Sequence, residues 1–406
     1  MTQAEGLQPR LLVLASTYPR WPGDPEPGFV HELAKRLTGD FDVTVLGPHA
    51  PGAPTRERMD GVDVVRYRYA PQRWETLVND GGIVTNLRRQ PWKWLLVPGF
   101  LLGLAWKAWR LVRELRPSVV HAHWLLPQGL VAAVLKSIEP RMPPFLVTSH
   151  GADLFALRAA PLQALKRWVA RRAAGVTVVS GAMREELARI GVDPSTVQVM
   201  PMGVDLAGRF RPDPAVERSR DELLFVGRLV EKKGLRHLID AMPAILRAHP
   251  TAFLTVAGFG PEEAQLREQA RALGVAAQVR FLGPVRQEEL PDLYRRAAVF
   301  VAPFVAGSSG DQEGLGLVLV EAAGCGCPVV AGDVPAVRDV VVDRRVGIRV
   351  PPGDAASLAF AVCAELAGQG EQCDTERANA VQAFDWRASA GNYLKLLRSG
   401  IQGHQG

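Results

Sequence analysis

The sequence predicts an α/β protein built from two doubly wound parallel sheets in tandem, and three observations carry that expectation. The chain has 406 residues, enough for two domains at ~100 to 200 residues each, with a full core in both. Short β-branched or apolar runs alternate from end to end with longer amphipathic ones, the pattern of parallel strands joined by helices. Residues 205–221, polar, containing two prolines and lacking periodicity, separate an earlier series of such runs from a later one.

In chain order, the first series opens with residues 11–16 (LLVLAS), an apolar run too short for a buried helix and therefore a strand. Residues 43–46 (VTVL), 62–66 (VDVVR), 119–122 (VVHA), 145–149 (FLVTS), 176–179 (VTVV) and 197–200 (VQVM) follow, rich in β-branched residues. Helical patterns fall between most of them. The second series comprises residues 222–226 (ELLFV), 253–257 (FLTVA), 279–282 (VRFL), 299–302 (VFVA), 328–330 (PVV) and 347–350 (GIRV). Residues 385–398, with Trp386, Leu394, Leu396 and Leu397 apolar, read as a last helix that returns to the first domain. The expected division is a Rossmann-like domain at 1–204, a linker at 205–221, a second Rossmann-like domain at 222–384 and the closing helix at 385–406. Two such halves are expected to face each other across a cleft, with ligands at the carboxyl ends of the strands.

Composition narrows the class. Hydrophobic residues at 47%, charged residues at 22% and 70 Gly plus Pro describe an ordinary globular chain, neither collagenous nor disordered. The four cysteines, Cys325, Cys327, Cys363 and Cys373, include no CxxC pair, which speaks against a disulfide scaffold or a zinc knuckle. Residues 1–10 lack the basic start and following apolar run of a secretory leader, so the expected location is the cytoplasm. The longest apolar approach to a span, residues 94–106, is interrupted by Pro98 and Gly99, and no bilayer crossing is expected.

Charge is unevenly placed. Residues 1–200 carry a net +8 and the rest −2. Residues 88–116, bounded by Arg88 and Arg116, hold seven Lys/Arg against one Glu, together with Trp92, Trp94, Phe100, Trp106 and Trp109. A second patch gathers Arg158, Lys166, Arg167, Arg171 and Arg172 around Trp168. Indoles beside basic residues favour the headgroup layer of an anionic membrane, the surface partner expected here. The competing reading makes these aromatics core contacts of crossover helices. Nucleic acid is not expected, because no base-stacking or groove-reading module accompanies the charge.

Two motifs carry chemistry. GRLVEKKG, residues 227–234, follows a strand and precedes a helix, so Arg228 and Lys233 and the helix amides can converge on a diphosphate. The segment 311–330 places Gly314, Leu315, Gly316 and Leu317 at a helix start with free N–H groups, flanked by Glu313 and Glu321. Eight residues of helix separate those carboxyls by ~12 Å, beyond the ~5 to 9.5 Å of a glycosidase pair. The spacing suits the two ends of one extended ligand. Ordinary helix-face glutamates are the alternative, weakened by the cost of an unpaired Glu321 within the apolar run LVLVEAAGC.

Together these motifs resemble the nucleotide-sugar site of the retaining glycosyltransferases of family 4, fold type GT-B. Thr148-Ser149-His150-Gly151-Ala152-Asp153, Val179-Ser180, Pro201-Met202-Gly203-Val204-Asp205, Gly258-Phe259-Gly260-Pro261 and Phe281-Leu282-Gly283 extend the likeness over residues 11–350. The resemblance implies that Arg228 and Lys233 hold the donor diphosphate, helped by amides of Gly314, Leu315, Gly316 and Leu317. It implies Glu321 on the ribose hydroxyls, Glu313 and His150 at the donor sugar, and an amide of Gly28 on the phosphates. At the last position a single glycine after Pro27 replaces the commoner paired-Gly loop. It also implies an acceptor-binding first domain and a nucleotide-sugar-binding second one.

Chemically, departure of a nucleoside diphosphate leaves charge on a phosphate oxygen, which fixed cations and helix amides stabilise without a metal. The only Asp-x-Asp, Asp40-Phe41-Asp42, precedes a strand at its amino end, the wrong edge for a metal site. His121 and His123 in HAHW read as supporting a strand end more readily than as metal ligands. Gly258-x-Gly260 lacks the third glycine of a dinucleotide fingerprint, so no cofactor is expected. The resulting expectation is a retaining, metal-independent transferase acting on a lipid-linked or other membrane-borne glycan acceptor, peripheral on the inner membrane face. A nucleotide-sugar epimerase and a non-catalytic partner subunit of the same fold are the rivals.

Overall fold

The computed structural model of the chain describes residues 8–24, 28–79, 82–308, 310–368 and 374–402. The chain forms two compact units, one of residues 1–179, 183–200 and 390–406, the other of residues 180–182 and 201–389.

The first unit is built on eight strands: β1 (Arg10–Leu14), β2 (Asp42–Pro48), β3 (Arg56–Met59), β4 (Val62–Tyr67), β5 (Val119–His123), β6 (Phe145–Ser149), β7 (Gly175–Val178) and β8 (Val197–Val199). Their order is β3-β4-β2-β1-β5-β6-β7-β8. All pairs are parallel except β3 with β4. The chain runs from β1 outward through β2 and β4, then returns to place β5 on the other side of β1. In doubly wound folds such a reversal is where ligands bind, outside the carboxyl ends of the flanking strands, here β1 and β5. The second unit carries β9 (Glu222–Val226), β10 (Phe253–Ala257), β11 (Val279–Gly283), β12 (Val299–Ala302), β13 (Val329–Gly332) and β14 (Gly347–Val350). They lie in the order β11-β10-β9-β12-β13-β14, all parallel, with the same reversal between β9 and β12.

Each run expected as a strand forms one, and in the central parallel strands, covered on both faces, apolar residues dominate. β12 is the extreme case, with Val299, Phe300, Val301 and Ala302 all buried. β3 was not legible: RERM is an antiparallel edge strand with only Met59 buried, and its exposed polar residues carry no apolar run.

Helices cover the sheets by the same logic. In Leu235–Ala248, Leu235, Leu238, Ile239, Met242 and Ile245 recur at helical spacing and are buried. At ~2 kcal/mol per fully buried side chain, that face contributes roughly 10 kcal/mol. The neighbouring helix Ala355–Ala367 adds Leu358, Val362 and Leu366 to the same core and is capped by Asp354, which accepts from the N–H groups of Ala356 and Ser357.

Residues 205–221 pack onto the second unit rather than hanging free. Leu206 and Phe210 are buried, and a Cβ on Gly324 would stand 2.4 Å from Leu206 Cδ2. Arg218 donates to Ala297 O and to Asp374, each at 2.8 Å. The closing helix, Trp386–Gln402, belongs to the second unit through residue 389 and to the first from residue 390. Its Tyr393 is fully buried and donates to Met200 O at 2.8 Å.

The helix Leu96–Leu115, with the turn Pro91–Leu95 before it, corrects the expectation drawn from Pro98 and Gly99. Neither residue interrupts it, and the stretch Pro91–Leu115 is long and apolar enough by length and composition to cross a membrane. One face is nonetheless committed to the first unit: Phe100, Leu104, Ala108, Leu111 and Val112 are buried. Gly99 and Gly103 let it approach β4, since a Cβ at either would meet Tyr69 O at 2.4 Å or Arg68 O at 2.7 Å.

Candidate active site

In the second unit, the two strands that flank the reversal deliver the expected residues. β9 ends in Val226, and Gly227, Arg228 and a short 3₁₀ turn, Glu231–Lys233, lead into the helix Leu235–Ala248. The turn is stacked on its neighbours through Gly227 N–H to Ala257 O at 3.0 Å, Leu229 N–H to Phe259 O at 2.9 Å and Gly258 N–H to Gly283 O at 2.8 Å. Gly234 caps the helix at φ +69°, and a Cβ there would overlap Pro303 O at 1.8 Å. Gly234→Ala combines left-handed strain with that backbone clash, so it is expected to cost at least ~2 kcal/mol. A drop of roughly 4–8 °C in the melting midpoint would register it.

Across from the turn, the segment after β12 carries Glu313. Lys233 Nζ donates to Glu313 Oε2 at 2.6 Å, with both side chains largely buried, and stands 4.6 Å from the centre of the Phe304 ring. Burial pushes the Glu313 carboxyl up, but Lys233, Lys232 and Arg228 outweigh it and hold the group at about 2. Burial lowers the Lys233 ammonium against the pull of Glu313. The Arg228 guanidinium is half-buried, and among the described residues it makes no hydrogen bond or ion pair. Its donors are therefore available beside two other cations.

The helix after this segment starts at Leu317, not at Gly314, and is capped by Gly316 at φ +88°, a left-handed conformation suited to glycine. Glu313 thus lies outside the helix, and the expected separation of the two glutamates by eight helical residues does not apply. Gly314, Leu315 and Gly316 are buried and Leu317 opens the helix; the N–H groups of Leu317 and Val318 have no intrahelical acceptor, whereas Leu319 N–H donates to Gly316 O at 2.9 Å. Glu321, in the middle of that helix, is buried. Its carboxyl is raised by burial, and Tyr294 Oη donates to Oε2 at 2.9 Å while Gln287 Nε2 donates to Oε1 at 3.3 Å. Lys233 and Arg209 draw it the other way. Lys233 thus acts on both carboxyls, bonding Glu313 directly and drawing Glu321 downward through its charge.

The first unit has its own cluster at the reversal between β1 and β5. His150 follows β6, and its Nε2 shares a hydrogen bond of 2.9 Å with Nδ1 of His123 at the end of β5. The rings stack at 5.1 Å, and Phe29 and Trp124 pack on His150 at 4.8 and 4.9 Å. Burial, with His121 adding to it, pushes His150 down to about 3, so the imidazole is neutral at physiological pH. Gly28 precedes Phe29 at the start of the helix Phe29–Arg36, where its carbonyl accepts from Glu32 N–H at 2.8 Å. Pro27 lies outside the described residues. His121 Nε2 bonds Thr148 Oγ1 at 2.7 Å, while its Nδ1 has no partner. Among the described residues no group of three or more His, Cys, Asp or Glu is disposed to hold a metal ion. Asp40 and Asp42 are engaged at the amino edge by Arg398 at 2.5 Å and Arg10 at 3.7 Å.

The basic, tryptophan-rich window is only partly a surface. Lys93 is buried and donates to Thr76 O at 2.8 Å, and Lys166 is buried and donates to Leu154 O and Leu157 O. Those two cations belong to the fold, because each satisfies carbonyls at loop ends. The outward face of the helix Leu96–Leu115 and its preceding turn instead presents Trp92, Trp94, Leu95, Leu102 and Trp106, with Leu102 70% and Trp106 57% exposed. Arg88, Arg89, Arg110 and Arg113 are exposed around it.

Comparison with known proteins identifies the class. Residues 29–207 match the model for Glycosyltransferase Family 4, and residues 209–380 that for Glycosyl transferases group 1. The fold superposes on sucrose-phosphate synthase from Thermosynechococcus elongatus with a TM-score of 0.78 at 22% identity, covering 98% of this chain and 100% of that one. The protein is a glycosyltransferase of the GT-B fold. Glycogen synthase of Mycobacterium tuberculosis (strain ATCC 25618 / H37Rv) is 30% identical over 394 residues, 91% of this chain and 90% of the relative. Phosphatidyl-myo-inositol mannosyltransferase of Mycobacterium leprae is 34% identical over 291 residues, 70% and 73% respectively. The chain belongs to glycosyltransferase family 4.

Proposed function

We propose that this enzyme transfers a sugar, with retention and without a metal ion, from a nucleoside-diphosphate sugar to a lipid-linked or other membrane-borne glycan acceptor at the cytoplasmic face of a membrane. The observation that carries the donor half is the contact of Lys233 with Glu313 beside the unengaged Arg228 guanidinium. Arg228, Lys233 and the amides of Leu315, Gly316 and Leu317 would take the diphosphate, Glu321 the ribose and Glu313 the donor sugar. In the reaction the bond from the anomeric carbon to the β-phosphate oxygen breaks, and its electron pair stays on that oxygen. Fixed cations stabilise the charge as it develops. The acceptor hydroxyl forms the new bond on the same face and gives its proton to the departing phosphate.

The acceptor half is supported by the outward Trp92, Trp94, Leu95, Leu102 and Trp106 with their arginine border, an arrangement suited to the interface of an anionic leaflet. A second reading, extension of a soluble glucan, is favoured by the full-length similarity to a glycogen synthase.

One experiment separates them. The protein is incubated with UDP- and GDP-sugars in EDTA, with phosphatidylinositol vesicles or with glycogen, and released nucleoside diphosphate is followed. Release that needs vesicles, together with sedimentation on anionic vesicles that falls at least ~10-fold when Trp92, Trp94, Trp106 and Arg89 are replaced by Ala, is expected. Turnover on glycogen without any vesicle dependence would select the second reading. Loss of turnover in EDTA, restored by a divalent ion, would remove metal independence.

A further inference from the structure

Three consecutive side chains of the 3₁₀ turn reach across to the segment that follows β12. Glu231 accepts from Ser308 twice, from N–H at its Oε1 and from Oγ at its Oε2, both at 2.8 Å. Lys232 donates to Asp311 Oδ1 and to Gln312 O, each at 3.2 Å, and Lys233 donates to Glu313. The backbones join as well, through Val305 N–H to Lys232 O at 3.0 Å. The clamped stretch contains Gly307, Gly310, Gly314 and Gly316, and its described residues form no helix or strand before Leu317, so fixing it carries a large entropic cost that local propensity does not offset. The Lys232 side chain is only 12% exposed, too enclosed for a casual surface charge, while half-buried Glu231 makes its two bonds to an exposed serine.

We propose that Glu231 and Lys232 are positioning residues, which hold the glycine-rich segment so that Glu313 is presented to the donor sugar. Glu231, Lys232 and Lys233 thereby hold Ser308, then Asp311 and Gln312, then Glu313, in the same chain order on both sides. This rests on the reading of Lys233 as a diphosphate ligand and Glu313 as the sugar-facing carboxylate. Lys232 is the residue whose role is most easily mistaken, since a lysine next to Lys233 invites assignment to the phosphates. Its bonds to Asp311 and Gln312 give it a different task, and Glu231, an acid, has no use for a phosphate.

The test uses Lys232→Met, Lys232→Arg and Glu231→Gln in the full chain. Hydrogen exchange of the free protein is expected to accelerate at least tenfold in peptides covering residues 303–316 of Lys232→Met and Glu231→Gln, and nowhere else in the second unit. Affinity for UDP and GDP by calorimetry stays within threefold of the parent. With UDP-glucose or GDP-mannose, whichever turns over, kcat falls 10- to 100-fold and KM changes less than threefold, and Lys232→Arg recovers most of the loss. Unchanged exchange in that segment overturns the proposal. So does a tenfold or greater loss of UDP and GDP affinity in Lys232→Met, which would make Lys232 a phosphate ligand. Arg228→Ala, run in parallel, judges the underlying site: if it leaves UDP and GDP affinity intact, the diphosphate reading fails, while the exchange data still decide whether the segment is clamped by this turn.

Discussion

Lys233→Met is expected to lower kcat/KM by roughly 10²- to 10³-fold, the loss typical of removing one preorganised charge-stabilising donor. Two distinct injuries contribute, and they can be separated. Lys233 neutralises Glu313 at 2.6 Å in the free protein. Without it a largely buried carboxylate is left without its nearest partner, a cost of about 1–3 kcal/mol. Combining Lys233→Met with Glu313→Gln removes the stranded charge, so stability should return while turnover does not. Recovery of turnover in the double variant would show that Lys233 serves only to neutralise its neighbour.

The pH dependence has a defined sign. Glu313 sits at about 2 in the folded protein against an ordinary value of 4.5. A carboxyl held below its unfolded value stabilises the fold above that value, and the contribution disappears as pH falls from about 4.5 through about 2. In Lys233→Met burial is opposed only by the more distant Lys232 and Arg228, so the carboxyl moves upward and this acid-side loss shrinks. Urea midpoints between pH 6 and pH 3 for the two proteins would reveal the difference in slope.

Which features could be read in advance follows from where their physical cause lies. Central strands such as β1 and β9 are buried on both faces, and that alone forces the runs LLVL and LLFV. Glycines at φ +69° and +88° mark the turns at Gly234 and Gly316 because other residues are strained there. Both kinds of signal are local in sequence. By contrast, β3 depends on its pairing with β4 and not on its own residues. Tyr294 and Gln287 reach Glu321 from 27 and 34 residues away, and Glu231 and Lys232 reach Ser308 and Asp311 across 77 and 79. The first pair meets because the helix Leu290–Arg296 packs on the helix Leu317–Gly324, the second because β9 and β12 are neighbours, and no window of sequence contains either relation. Lys93 and Lys166 fail in the opposite direction: as positive charges they read as surface, whereas buried carbonyls claim them.

Glu321→Gln should produce opposite effects on stability and on ligand binding. The Glu321 carboxyl is raised above 4.5 by burial, so the free protein disfavours its charge. A folded-state value above the unfolded one means that the fold takes up a proton, and wild type gains stability as pH falls from neutrality toward 4.5. Gln keeps an acceptor for the Tyr294 hydroxyl without the charge, and a gain of about 1 kcal/mol, roughly 2–4 °C in melting midpoint, is expected at pH 7.5. Ribose hydroxyls of a bound nucleotide would donate to the carboxylate and favour its ionised form. Replacing that charged acceptor should therefore weaken UDP or GDP binding by roughly 10- to 150-fold, the range for a hydrogen bond to a charged group. The two measurements bear on each other through pH. In wild type, nucleotide affinity should rise as pH is raised above 4.5 and Glu321 gives up its proton, and in Glu321→Gln that rise should vanish. A variant that loses stability and keeps its nucleotide affinity would mean that Glu321 is a structural acid held for Tyr294, and the ribose would then have to be bound elsewhere.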